Sequence, residues 1–136
     1  MPIRWTLMMY QPTTDSEVLK ALNTWQRDDF AYGTTDCAQL AGHVAKELTG
    51  FDYLATFAYA SETEANNIIE EHGDLRATVS SVLGEPVELV ASGCPVLVEL
   101  NGQQVLGVKL ADSAACLTKK GLTQVDLRFV QCGWKL

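Results

Sequence analysis

A cysteine at the head of a helix is the feature of this sequence that points to covalent chemistry. The run Phe30-Ala31-Tyr32-Gly33-Thr34-Thr35 carries a glycine-containing turn into Asp36-Cys37-Ala38-Gln39-Leu40, where apolar residues begin to recur at helical spacing. A helix N-terminus favours anions. Its macrodipole and unpaired N–H groups can lower a thiol pKa by one to several units, the usual origin of a nucleophilic thiolate at neutral pH. Cys37 is therefore a candidate nucleophile, with Asp36 as its motif neighbour. The same spacing allows a plainer role, in which Cys37 fills the core beside Leu40, Ala41 and Val44 while Asp36 caps the helix. A nucleophilic thiol needs a base within hydrogen-bond reach, and the chain has 2 histidines. His43 lies on the same helix, roughly 120° around it and about 9 Å along it from Cys37, so it points elsewhere. His72 directly precedes Gly73 at a helix end, where an imidazole serves the last carbonyls.

The elements that must position Cys37 follow from periodicity and punctuation. Thr14 and Glu17 form a capping box before Val18, Leu22 and Trp25, predicting a helix that ends near Arg27. A second helix runs from Asp36 or Cys37 to Gly50, with Cys37, Leu40, Ala41, Val44 and Leu48 on one face. Ser61 and Glu64 open a third that closes at His72 and Gly73. Asp74 then caps a fourth segment, containing Leu75, Val79, Val82 and Leu83, that closes at Gly84. From Pro86 the rhythm becomes β. Val96–Leu100 and Gln103–Leu110 flank Asn101-Gly102, the signature of a two-residue type I′ hairpin pairing Leu100 with Gln103, Val98 with Val105 and Val96 with Gly107. Val96, Val98 and Leu100 then share a face with Val105 and Gln103. Further strands are expected near Ala115–Leu117 and over Thr123–Val130, where Val125, Leu127 and Phe129 alternate with polar residues. Helices followed by antiparallel strands predict an α+β fold, a single domain over residues 1–136 with the helices packed on one sheet face.

Composition narrows the function classes. At 136 residues, 47% hydrophobic and 20% charged, the chain can bury about two-thirds of its unfolded surface without a disulfide or metal staple. Its net charge of −7 repels phosphate backbones and anionic lipids, which argues against nucleic acid as a partner. No apolar run approaches the roughly 18 residues of a membrane span, and Met1–Tyr10 lacks the h-region of a secretion signal. Cys37, Cys94, Cys116 and Cys132 are widely spaced, without C-x-x-C pairs, so four reduced thiols with no metal and no cofactor are expected. Trp5, Trp25, Trp134, Tyr10, Tyr32, Tyr53 and Tyr59 either line a sugar or peptide groove or complete the core. The acidic run Glu62, Glu64, Glu70, Glu71 and Asp74 suggests a solvated face or a weak cation site. Trp134 and Leu136, with Met8, Met9 and Tyr10, are candidates for an oligomer or virion interface.

Tyr32-Gly33, Asp36-Cys37 and the helix ending at Gly50 resemble the catalytic-cysteine motif of the NlpC-type, papain-like cell-wall peptidases, which cleave peptidoglycan stem peptides. Gly84-Glu85-Pro86-Val87, Gly93-Cys94-Pro95-Val96-Leu97 and Val105-Leu106-Gly107-Val108 are similar to an uncharacterised relative of those peptidases encoded among phage and prophage tail genes. The resemblance covers roughly residues 20 to 136. It implies a papain-like fold, other phage tail proteins or peptidoglycan as partners, synthesis in a bacterial cytoplasm and residence in the virion tail. One departure bears on mechanism. Where the active peptidases open the second strand with a histidine base, this sequence has Val105, and Cys94 replaces the aspartate expected after Gly93. Losing general-base catalysis costs on the order of a hundredfold to ten thousandfold in rate. The resemblance thus implies a degenerate peptidase fold serving as a tail-tip structural component, or else a working peptidase in which Cys37 finds another base.

Overall fold

The computed structural model describes residues 15–23, 36–118 and 121–136. The capping residue Thr14, the expected helix end near Arg27 and the residues 30–35 that lead into Cys37 lie outside them. Within the described residues, helices α1 (Asp15–Asn23), α2 (Cys37–Thr49), α3 (Glu62–His72) and α4 (Leu75–Leu83) precede strands β1 (Pro95–Leu100), β2 (Gln103–Lys109), β3 (Ser113–Thr118), β4 (Gly121–Asp126) and β5 (Val130–Gly133). The strands form one antiparallel sheet of order β4-β3-β2-β1-β5, so the architecture is mixed α+β.

Local chemistry explains the helix boundaries. The Asp36 side chain accepts the Gln39 N–H at the head of α2, and Gly50, at φ 80°, ends it in the left-handed conformation that a Cβ penalises. Ser61 caps α3 by accepting the Glu64 N–H, and Glu64 reaches back to the Ala60 N–H. Asp74 caps α4 through the Ala77 N–H. These contacts leave the apolar residues of each segment to determine packing.

The hairpin forms in the register expected from its loop: Leu100 opposes Gln103, Val98 opposes Val105 and Val96 opposes Gly107. Asn101 at φ 51° and Gly102 at φ 78° supply the two positive dihedrals of a type I′ turn. Alternation then divides the sheet. Leu97, Leu106, Val108, Ala115 and Leu117 face the helices and pack with Val18, Leu22, Leu40, Ala41, Val44 and Val79. Val96, Val98, Ala114 and Cys116 form a second cluster on the opposite face, joined by Val90, Leu100, Val105, Val125 and Val130. Leu40 and Val44 are fully buried, each contributing on the order of 1.5–3 kcal/mol. The α2 face expected to cover the hairpin does so, with Cys37 and Leu48 at its margins.

Two expectations are corrected. The run Thr123–Val130 is two strands on opposite edges of the sheet: Asp126 accepts the Arg128 N–H, caps a 3-10 turn at Leu127–Phe129 and redirects the chain from β4 to β5 beside β1. The alternation of Val125, Leu127 and Phe129 ends at that turn, and Phe129 emerges 38% exposed. Trp134 is no surface anchor, being fully buried with its indole N–H donated to Ser80 Oγ at 3.1 Å, which ties the chain's end to α4. Leu136 is exposed, while Met8, Met9 and Tyr10 lie outside the described residues. The Gly84–Val87 element closes the far edge, where Val87 and Gly133 exchange backbone hydrogen bonds of 2.8 and 2.9 Å.

Candidate functional site

Cys37 and Asp36 are among the residues that line a cleft of about 730 Å³. Its walls are the N-terminus of α2, the apolar side of α3, the start of α4 and the tips of the β1–β2 and β3–β4 hairpins. The lining draws on both sheet faces at the strand ends, with Leu106 and Leu117 from the helix side and Leu100, Val105 and Val125 from the other.

Asp36 is buried and committed. Its Oδ1 accepts the Gln39 N–H at 2.8 Å and its Oδ2 accepts the Tyr59 hydroxyl at 2.7 Å. Burial, then the Asp36 charge and this hydrogen bond, raise the Tyr59 phenol above its ordinary pKa. The Gln39 carboxamide reaches the same phenol at 3.5 Å. Asp36 is thus a helix cap locked to Tyr59.

Cys37 is the first residue of α2 and borders the cleft, with its sulfur packed among neighbours. Burial pushes its thiol up to about 11. A backbone hydrogen bond with Leu106 and the N–H groups of Ala38 and Cys37 itself oppose that shift, while the Asp36 charge adds to it. Desolvation therefore outweighs the helix terminus, and the group is a neutral thiol near pH 7.

Neither histidine enters the cleft. The His43 Nε2 lies 3.1 Å from the Ala21 carbonyl, joining α2 to α1. The His72 Nδ1 lies 2.8 Å from the Ile68 carbonyl, and its ring meets Phe57 edge-on. Strand β2 supplies no base to the cysteine. Val105, where the resemblance expects the imidazole, belongs to the sheet face away from α2, and the side chain turned toward the helix is Leu106. Both are apolar.

Tyr53, expected from the sequence only as a groove or core aromatic, is also a neighbour of Cys37. Tyr53, in the 3-10 turn after α2, is 1% exposed, and its buried hydroxyl has no hydrogen-bond partner among the described residues. Burial foremost, then the nearby Cys37 and Asp52, raise its pKa. No local signal marks it, because Tyr53 reaches Cys37 only once Asp52 caps that turn against α2. Among the aromatic residues weighed as groove-lining, Tyr59 borders the cleft and Tyr53 is core; Phe57 joins Tyr59 in the lining. Trp5, Tyr10, Trp25 and Tyr32 lie outside the described residues.

The acidic run does not converge. Glu64 and Asp74 act as caps, and Glu62 alone of the five borders the cleft. No cluster of His, Cys, Asp and Glu suited to a metal occurs among the described residues. Cys94, Cys116 and Cys132 are buried and unpaired, and burial pushes the Cys116 thiol up to about 12. Among the described residues no helix is long and apolar enough to cross a membrane.

None of the curated proteins compared with the sequence matches it. A helix-capping aspartate, a neutral thiol beside it and a cleft without an imidazole thus stand together in a chain whose residues 11–136 match the family model described as Domain of unknown function (DUF6950), and the chain belongs to that family.

Proposed function

We propose that this chain is a non-hydrolytic relative of the NlpC-type papain-like peptidases that serves as a structural or assembly component of a phage or prophage tail tip. The observation that carries the non-hydrolytic part is the state of Cys37: its thiol is pushed up to about 11, and neither of the chain's 2 histidines lines its cleft. A thiol so protonated, with no imidazole in its cleft to take the proton, is a poor nucleophile toward an amide. The order of a cysteine-bearing helix, two shorter helices and an antiparallel sheet supports the papain-like reading. The tail assignment rests on the resemblance of the Asp36-Cys37 motif and the strands after it.

A peptidase acting through Cys37 is the second reading. It is favoured by the position of that residue at a helix N-terminus bordering the cleft, with the Leu106, Ala38 and Cys37 backbone groups favouring a thiolate. Incubating the full chain with peptidoglycan stem peptides and following products by mass spectrometry separates the two. No products are expected; turnover that disappears in Cys37→Ala would establish the peptidase instead. For the tail assignment, purified virions should contain the chain by peptide mass spectrometry, and its absence from them removes that assignment.

A further inference from the structure

We propose that the cleft beside α3 holds an extended segment of a partner polypeptide, one rich in apolar side chains and free of acidic ones, without cleaving it. This deepens the non-hydrolytic reading and rests on it.

An amphipathic helix ordinarily buries its apolar stripe in the core. Helix α3 has no buried residue at all. Its Ala65, Ile68 and Ile69 line the cleft, and neither isoleucine belongs to a core cluster. The helix is held by its caps and by α4, and its apolar side faces a space of about 730 Å³, within the range of sites that enclose a ligand.

The polar rim indicates what that ligand is. Asn66 on α3 and Asn101, Gln103 and Gln104 at the β1–β2 tip are exposed carboxamides bordering the same cleft. Each carries both a donor and an acceptor, the pairing that a polypeptide main chain presents along its length. An extended chain also turns alternate side chains to opposite sides, so one set can lie on Ile68 and Ile69 while its backbone meets the amides. Charge excludes an acidic segment. Among the described residues the charged groups lining the cleft are Asp36 and Glu62, and α3 exposes Glu64, Glu70 and Glu71 nearby. A carboxylate-bearing segment is repelled there, and a neutral or basic one is favoured.

The test uses the full chain and three short fluorescent peptides, alternating Leu–Lys, Ser–Lys and Leu–Glu, with anisotropy as the binding readout at about 0.15 M salt and mass spectrometry on the same samples. The Leu–Lys peptide should bind saturably and about tenfold or more tighter than Ser–Lys, with no saturation for Leu–Glu. Changing Ile68 and Ile69 together to Glu should weaken it about tenfold or more, and the Gln103→Ala/Gln104→Ala variant, at an exposed turn, about threefold. Equal binding of Ser–Lys overturns the inference, since the net charge alone would then account for it. So does equal binding of Leu–Glu, indifference to both variants, or tighter binding of N-acetylglucosamine oligomers that displace the peptide. No saturable binding with the peptide intact overturns this inference and leaves the non-hydrolytic reading standing. Cleavage of the peptide overturns both.

Discussion

Tyr59 donates its hydroxyl to Asp36 Oδ2 at 2.7 Å, joining the segment before α3 to the first residues of α2. The other Asp36 oxygen holds the Gln39 N–H, so one buried carboxylate both starts the cysteine helix and anchors Tyr59, which also lines the cleft. The residue beside the cysteine thus has a folding role in capping α2 and anchoring Tyr59.

Asp36→Ala should therefore destabilise the protein by about 1–3 kcal/mol, combining a lost cap with the loss of the Tyr59 hydroxyl's acceptor. Tyr59→Phe should cost about 1 kcal/mol, since the Gln39 bond survives. Urea unfolding of both single variants and the double variant checks this. Their effects should be strongly non-additive, and simple additivity would show that the two groups do not interact.

The Cys37 thiol should alkylate slowly. With a pKa of about 11, the thiolate fraction at pH 7 is about one in 10⁴, and iodoacetamide labelling should accelerate about tenfold per pH unit up to that value. A labelling rate that levels off near pH 7 would mean that the helix terminus wins over desolvation.

The same shift makes stability depend on alkaline pH. The folded thiol pKa lies above the unfolded value of 9.0, so the native state holds its proton more tightly. The associated stability is fully present below pH 9 and is lost as pH rises toward about 11. The loss from Cys37 should reach at most about 2–3 kcal/mol, with buried Cys116 adding to it in the same direction. Denaturant unfolding at pH 7, 9 and 10 should show the decline, and Cys37→Ala should make it shallower by the share due to Cys37.

Val105→His should leave Cys37 labelling and the absence of hydrolysis unchanged, because that side chain lies on the sheet face away from α2. Faster alkylation in this variant, measured at pH 7, would show that the imidazole reaches the thiol after all.

Gly107→Ala should destabilise by about 1–3 kcal/mol. An added Cβ would stand 2.8 Å from the Cys116 sulfur and 3.1 Å from the Ala115 carbonyl oxygen, in the crowded centre of the sheet. The midpoint of thermal unfolding reports the loss; an unchanged midpoint would show that β3 can give way.

Most of the local structure was legible in the sequence, because caps and turns are short-range chemistry. Asp36, Ser61, Asp74 and Gly50 place their helix ends wherever the segments later pack, and Asn101-Gly102 determines a hairpin register by loop geometry alone. The helical face of Leu40, Ala41 and Val44 follows from spacing in the same way. The site was legible only as a pair of neighbouring residues. Whether Cys37 is a thiolate depends on the balance between the backbone groups that favour it, Leu106 arriving on β2 among them, and the desolvation that burial imposes. Which β2 side chain faces the cysteine depends on the sheet's pleat, and that turns Leu106 rather than Val105 toward the helix. The split of Thr123–Val130 into two opposite edges was likewise hidden, since alternation continues on paper through a turn that the Asp126 cap redirects. Sequence periodicity specifies faces and ends; burial, and with it the charge state of a thiol, exists only once distant segments have closed around it.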